Sequence, residues 1–123
     1  MKKNNIYLAT KLFSFYDRYA STNMYEAVLR SKKYSSSLIY LPFRDSNMKV
    51  STEGNVAKNI FEADINSLNK TEIFICRIDG LSYDAGIGFE LGYCLARGCT
   101  LYVFSTDFYK TKILNSKILI SNM

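Results

Sequence analysis

The chain has 123 residues, of which 48% are hydrophobic and 22% are charged, and its formal net charge is +5. This length supports one domain with a real hydrophobic core and is too short for two ordinary domains, so we expect residues 1–123 to form a single domain. The absence of histidine excludes Ser-His-Asp and Cys-His catalysis and every histidine-ligated metal site. Acid, base and nucleophile near neutral pH must then be carboxylates, tyrosine, lysine or a cofactor.

The cysteines and the basic residues have plain structural explanations. Cys76, Cys94 and Cys99 lack the paired spacing of a zinc ribbon and are predicted to be buried reduced thiols. The basic residues form no stripe with interleaved aromatics, so no nucleic acid partner is expected. Lys11 interrupts the apolar stretch near the start, far short of a signal or membrane segment, so we expect a cytoplasmic protein with no membrane contact.

Strand and helix patterns alternate from the first residues onward. A buried strand is predicted at 5–9, and the capping box Asn23-x-x-Glu26 then predicts the start of a helix. A second strand at 37–41 is stopped by Pro42, the only proline of the chain.

The second half of the chain continues the alternation. A polar stretch at 44–54 leads to apolar residues at helical spacing over 55–69. A glycine-rich entry opens a helix over 84–97, and Gly98 follows as its terminating residue. Further strands are predicted at 72–78, 100–104 and 117–121.

This alternation predicts an α/β fold. We expect a single-domain three-layer sandwich with a five-stranded, mainly parallel sheet covered on both faces, flavodoxin-like or Rossmann-like. Such folds bind ligands at the carboxyl ends of their strands.

Asp64 is an unusual residue for its position. It continues the i+4 row of Val56, Ile60 and Leu68, so a carboxylate lies in line with the helix face that should pack on the sheet. An unpaired charge there would be costly. Asp64 is therefore either the cap of a break in that helix or a functional acid.

Glu90 and the glycines before it form a second candidate feature. Glu90 is predicted in the first turn of its helix, where free backbone N–H groups and the helix dipole favour an ionised carboxylate. That suits a nucleophile and equally a plain helix-start glutamate. Gly86 and Gly88 are predicted to form a Gly-x-Gly turn that admits a phosphate or sugar, and Gly92 to pack closely against the sheet.

Four pieces of sequence together form a family pattern. They are IYLATKLFS at 6–14, YLPFRD at 40–45, Asp64 eight residues before Glu72, and DAGIGFELGYCLARG at 84–98. With them, from residue 5 to about residue 115, the chain resembles the nucleoside 2-deoxyribosyltransferase family, which shares its fold with the deoxynucleotide N-hydrolases. The last piece is the most specific.

The resemblance implies a role for each matching residue. Glu90 matches the nucleophile that forms a covalent deoxyribosyl-enzyme at C1′, and Tyr7 matches the tyrosine that orients it by a hydrogen bond. Asp64 matches the acid near the departing base, and Asp84 a carboxylate that holds the sugar hydroxyls. Asn115 matches an asparagine supplied to the sugar's 5′ end by a neighbouring subunit, which implies a homo-oligomer with shared active sites.

The expected partners are a nucleoside or nucleotide substrate and a free nucleobase, and the chemistry requires no metal and no cofactor. The family usually continues well beyond the position of Asn115, so we expect a more open base pocket in which water is an alternative acceptor. Phe43 stands near where the family often has a polar residue close to the base, so base preference is not carried over. Arg44 and Arg77 are candidates for a 5′-phosphate contact or for structural roles.

Three hypotheses follow. The leading one is a transferase that cleaves the N-glycosidic bond of 2′-deoxynucleosides and passes the sugar to another base. The second is a 2′-deoxynucleoside 5′-monophosphate N-glycosidase, and the third is a non-catalytic nucleotide-binding sensor.

Overall fold

A computed structural model of the protein describes residues 3–46, 56–79, 84–106 and 120–122. Strands and helices alternate through these residues, as predicted. The strands are β1 Asn5–Ala9, β2 Leu38–Tyr40, β3 Ile73–Arg77, β4 Thr100–Ser105 and β5 Ile120–Asn122. The helices are α1 Phe15–Arg30, α2 Pro42–Asp45, α3 Val56–Leu68 and α4 Ala85–Ala96.

The five strands form one parallel sheet in the order β2-β1-β3-β4-β5. This is the flavodoxin-like order among the two that were predicted. The chain proceeds outward on one side from β1 to β2 and then on the other side from β3 to β5. The reversal between β1 and β3 opens a crevice at the carboxyl ends of these strands, where such folds bind ligands.

Alternating strand residues build a core on each face of the sheet. On one face, α3 and α4 cover a cluster that contains Tyr7, Ala9, Leu68, Phe74, Cys76, Ile87, Cys94 and Val103. On the other face, α1 covers a cluster that contains Ile6, Leu8, Met24, Val28, Leu41, Ile73 and Phe104. The predicted three-layer α/β sandwich is therefore confirmed, whereas the extent of the domain over residues 1–123 stays a prediction.

Helix α1 begins earlier than predicted. Its N-cap is Ser14, whose Oγ accepts from the Asp17 backbone N–H at 3.1 Å while the Asp17 carboxylate accepts from the Ser14 N–H at 3.3 Å. The capping box predicted at Asn23 and Glu26 is wrong, because both residues lie inside α1. The first turn of α1 carries exposed aromatic side chains without apolar helical spacing, so the periodicity did not indicate its true start.

Pro42 both follows β2 and opens the short helix α2. It occupies the first turn of α2, where a missing N–H group costs nothing. The stretch predicted as polar loop from residue 44 therefore begins inside a helix, and residues 47–55 lie outside the described part of the chain. Within the described residues, none of the helices is both long and apolar enough to span a membrane.

Of the two glycine predictions for the second half of α4 and the residue that ends it, one is confirmed and one is wrong. Gly98 has φ +77°, the left-handed conformation expected of a residue that terminates a helix. A Cβ on Gly92 would meet no heavy atom within 4 Å, so the predicted close packing of Gly92 on the sheet is wrong. Cys76 and Cys94 are buried and form no disulfide, as predicted, and Cys99 is partly buried.

Candidate active site

Two clefts adjoin each other, and the first of them lies at the carboxyl ends of the strands. The first, of about 330 Å³, is lined by the loop after β1, the start of α2, and helices α3 and α4. The second, of about 350 Å³, lies between α3 and α4 and has a mainly apolar lining. Ile60, Asp64, Gly86 and Glu90 line both clefts. The two predicted catalytic carboxylates, Asp64 of α3 and Glu90 of α4, therefore lie at the boundary between the two clefts.

Tyr7 and Glu90 are directly connected. Tyr7 is fully buried in the middle of β1, and its hydroxyl donates a hydrogen bond to Glu90 Oε1 at 3.0 Å. The ring of Tyr7 is fixed by Phe74 and Tyr40, whose ring centroids lie 5.6 and 5.1 Å away. The contact expected from the resemblance is therefore present.

The electrostatic setting of Glu90 differs from the prediction. Since α4 begins at Ala85, Glu90 is its sixth residue and lies in the second turn, not the first. Burial raises the pKa of Glu90, the hydrogen bond from Tyr7 lowers it, and the charges of Asp64 and Asp84 raise it further. Together these effects give a pKa of about 7. The expectation that a helix start keeps this carboxylate ionised is wrong, and both its forms are populated near neutral pH.

Asp64 is a partnered side chain in an unbroken helix. Helix α3 runs continuously from Val56 to Leu68, so the interpretation of Asp64 as the cap of a helix break is wrong. The hydroxyl of Tyr40 donates a hydrogen bond to Asp64 Oδ1 at 2.7 Å. Burial raises the pKa of Asp64 above its usual range, and the bond from Tyr40 partly offsets this increase.

Tyr40 is a site residue that no sequence pattern had indicated. Tyr7 and Tyr40 are register partners on the neighbouring parallel strands β1 and β2, so their side chains lie on the same face of the sheet. A pair of tyrosines at matching positions of two adjacent strands is the signal that would have found it. Knowledge of the register is needed to use that signal.

Asp84 is the N-cap of α4 and lines the first cleft. Its Oδ1 accepts from the Ile87 backbone N–H at 2.9 Å. Gly86 and Gly88 lie inside the first turn of α4, so the predicted Gly-x-Gly turn is wrong, and Gly88 lines neither cleft. A Cβ on Gly86 would lie 3.0 Å from Asp84 Oδ1, so the absence of a side chain there leaves room for the cap.

Arg77 has a structural role at the carboxyl end of β3. Its side chain is 11% exposed and donates to Thr10 Oγ1 at 2.9 Å, to Asp17 at 2.7 Å and to Asp79 at 2.6 Å. Burial opposes ionisation of Asp79, but hydrogen bonds from Thr106, Arg77 and Ser105 lower its pKa to about 2.

Arg44 is also bound within the protein. It forms a two-point contact with Asp45 at 2.6 and 2.7 Å and lies over the ring of Tyr25. Of the two interpretations of Arg44 and Arg77, the structural one therefore applies.

The residues that the structure describes contain no group of three acidic or cysteine side chains able to hold a metal ion. The predicted site residue Asn115 lies outside the described residues.

A protein-family model for nucleoside 2-deoxyribosyltransferase matches residues 6–123 of the chain. The chain belongs to the nucleoside 2-deoxyribosyltransferase family. The resemblance seen in the sequence is thereby confirmed over almost the whole chain. No curated protein sequence matches it significantly.

Solved structures agree with this family assignment. A conserved protein from Enterococcus faecalis V583 superposes with a TM-score of 0.75 at 25% identity, over 86% of this chain and 65% of that one. The chain thus spans a little less than two thirds of that relative. A 2-deoxyribosyltransferase from Bacillus psychrosaccharolyticus superposes with a TM-score of 0.70 at 23% identity, over 89% of this chain and 76% of that one. A 2-deoxyribosyltransferase from Leishmania mexicana superposes with a TM-score of 0.62 at 26% identity, over 97% of this chain and 79% of that one.

The family to which the chain belongs is named for deoxyribosyl transfer. The carboxylates of this chain at the two clefts are the candidates for such chemistry. The individual roles of Glu90, Asp64, Tyr7 and Asp84 stay predictions.

Proposed function

We propose that this protein cleaves the N-glycosidic bond of 2′-deoxynucleosides and transfers the deoxyribosyl group to another nucleobase. The observation that carries the proposal is the Tyr7–Glu90 hydrogen bond at a boundary between clefts that Asp64 also lines. A partly buried carboxylate held by a fixed donor, beside a second carboxyl group, is the pair that retaining glycosyl transfer requires.

The first step forms a covalent intermediate. Tyr7 occupies Oε1 of Glu90, so the other oxygen attacks C1′ of the deoxyribose. The C1′–N bond breaks, its electron pair passes to the base, and Asp64 donates a proton to the departing base. In the second step a nitrogen of the incoming base attacks C1′, the bond to Glu90 breaks, and the proton of that base passes to Asp64. Two displacements at C1′ retain the configuration.

The two carboxyl groups must be in opposite protonation states at the start. Glu90 has to be ionised and Asp64 protonated, and the pKa of both is raised by burial. Since the charges of the two groups repel, a proton on Asp64 favours the ionised form of Glu90. The reaction therefore uses the singly protonated pair in which the proton lies on Asp64.

Asp84 is proposed to hold the sugar. One of its oxygens is engaged by the Ile87 N–H, and we expect the other to accept from a sugar hydroxyl in the first cleft. Asn115 of a neighbouring subunit is proposed to contact the 5′ end, which makes a homo-oligomer part of the proposal. The chemistry balances without a metal or cofactor.

The test is incubation with 2′-deoxyinosine or thymidine, with and without adenine, followed by chromatography. New deoxyadenosine supports the transferase, and its absence with Glu90→Gln supports the assigned nucleophile. Free base without exchange would replace transfer by hydrolysis. Turnover of 5′-monophosphates alone would favour the N-glycosidase, for which Arg44 and Arg77 provide no support because both are bound to carboxylates. Binding of nucleotides without turnover would leave the sensor hypothesis.

A further inference from the structure

Tyr40 connects the surroundings of the two carboxylates of the site. Its hydroxyl lies 2.7 Å from Asp64 Oδ1, and its ring lies 5.1 Å from the ring of Tyr7, which holds Glu90. Two tyrosine–carboxylate pairs therefore stand side by side on one face of the sheet. The backbone register of β1 and β2 holds the two rings together.

Because Tyr40 contacts Oδ1 of Asp64, the two oxygens of this carboxyl group are not chemically equivalent. Tyr40 is a donor to Oδ1. Because the carbonyl oxygen of a carboxyl group is a better acceptor than its hydroxyl oxygen, a donor at Oδ1 favours the acid proton on the other oxygen. A proton on Asp64 then resides on Oδ2. A general acid is effective only when its proton lies within hydrogen-bond reach of the leaving atom, so the choice of oxygen affects the rate.

We infer that Tyr40 is a positioning residue, which directs the acid proton of Asp64 to Oδ2 and fixes the orientation of the carboxyl group toward the departing base. This inference rests on the proposed function and deepens it. Tyr40 itself contacts no substrate in this role and acts through Asp64.

Other charged or titratable groups surround Asp64 and must be considered in any pH measurement. Tyr7, Lys11, Asp84 and Glu90 lie near Asp64 on β1, its following loop and α4, and Asp45 of α2 lies near Tyr40. Because a substitution at Tyr40 leaves all five in place, a change in titration can be assigned to the lost hydroxyl.

The test compares Tyr40→Phe with wild type. Phenylalanine keeps the ring that packs on Tyr7 and removes only the hydroxyl. Tyr102→Phe is the matched control, since it removes a tyrosine hydroxyl that lies 3.3 Å from the hydroxyl of Tyr34, and Tyr102 lines neither cleft. Circular dichroism and thermal unfolding of both variants establish that each is folded.

The decisive readout is the dependence on the leaving group. With 2′-deoxyguanosine, whose base must be protonated as it leaves, we expect kcat of Tyr40→Phe to fall by at least about tenfold with little change in KM. With 7-methyl-2′-deoxyguanosine, whose cationic base leaves without a proton, the loss should stay below about threefold. An equal loss on both substrates would mean a structural role and overturn the inference.

A pH profile provides an independent readout. The hydrogen bond from Tyr40 stabilises the ionised form of Asp64, so its removal should raise the pKa of Asp64 and move the basic limb of kcat/KM to higher pH. Wild-type turnover with an unshifted limb in Tyr40→Phe would overturn the inference and leave the proposed function standing. Absence of turnover by wild type on every nucleoside and nucleotide would instead refute the proposed function, and the inference with it.

Discussion

The hydroxyl of Tyr7 lies 3.0 Å from Oε1 of Glu90 and donates a hydrogen bond to it, which connects the first strand to the second turn of α4 across 83 positions of the chain. The donor is fully buried and its ring is held between two other aromatic rings. Since the bond favours the ionised form of Glu90 against the effect of burial, it bears directly on the reactivity of the site.

Tyr7→Phe should weaken the proposed nucleophile. Loss of a hydrogen bond to a charged group corresponds to about 1.5–3 kcal/mol, so we expect kcat/KM at pH 7 to fall roughly ten- to a hundredfold. The pKa of Glu90 should rise above about 7, because its ionised form loses a donor, and the acid limb of the pH profile should move to higher pH. An acid limb identical to that of wild type would contradict this assignment.

Glu90→Gln should remove activity and change the pH dependence of stability. The pKa of Glu90 is about 7 in the folded protein and 4.5 as its ordinary value. Its raised pKa therefore contributes stability that is fully present below pH 4.5 and is lost as the pH rises through 7. Glutamine carries no charge, so urea unfolding should find the variant more stable than wild type at pH 8 by roughly 1–3 kcal/mol, with a smaller difference at pH 5. A constant difference across this range would refute the raised pKa.

Arg77→Met should lower stability more than it affects substrate binding. The variant leaves the largely buried carboxylates of Asp17 and Asp79 without their guanidinium, which typically costs about 3–5 kcal/mol. Chemical denaturation measures this loss. A folded variant of wild-type stability with a selectively raised KM for 5′-phosphorylated substrates would instead restore the phosphate role.

The low pKa of Asp79 predicts a further pH effect. Because its folded pKa of about 2 lies below the ordinary 3.8, its contribution to stability is present above pH 3.8 and is lost as the pH falls through 2. Unfolding curves of wild type and Asp79→Asn should therefore converge on acidification. Curves that stay equally separated from pH 5 to pH 2 would contradict the assignment.

Gly86→Ala and Gly92→Ala provide a matched pair in one helix. The new Cβ at Gly86 would lie 3.0 Å from Asp84 Oδ1 and displace this carboxylate, so we expect a raised KM for nucleosides. At Gly92 the Cβ meets nothing within 4 Å, so the helix preference of alanine should stabilise the protein by about 0.5–1 kcal/mol without loss of activity. Equal KM values for the two variants would exclude a role of Asp84 in binding.

Mixing of inactive variants tests whether sites are shared between subunits. Glu90→Ala and Asn115→Ala should each be inactive alone. If Asn115 enters the site of a neighbour, co-expression of the two variants should restore part of the wild-type activity, because some sites then combine an intact Glu90 with an intact Asn115. No recovery in purified mixed oligomers would place Asn115 in the same subunit's site or outside it.

Several features of the fold were predictable because they depend on local chemistry. Buried strands of β-branched and aromatic residues, helices between them and Gly98 after the last turn of α4 follow from side-chain shape and backbone preference. The start of α1 was missed because its first turn carries exposed aromatics. The range of α4 agrees with the prediction, but Glu90 was placed one turn too early because Gly86 and Gly88 resemble a turn in sequence, whereas both lie in the first turn of the helix.

The candidate site likewise has features that could be predicted from the sequence and features that could not. Residue types and their spacing were enough to recognise the family, to exclude histidine chemistry and to indicate the candidate carboxylates. The folded structure was needed to find that Asp64 accepts from Tyr40, that Arg77 is bound to two aspartates and that burial raises the pKa of Glu90. Hydrogen bonds between distant residues depend on strand register and helix packing, and a pKa depends on burial, neither of which is written in local sequence.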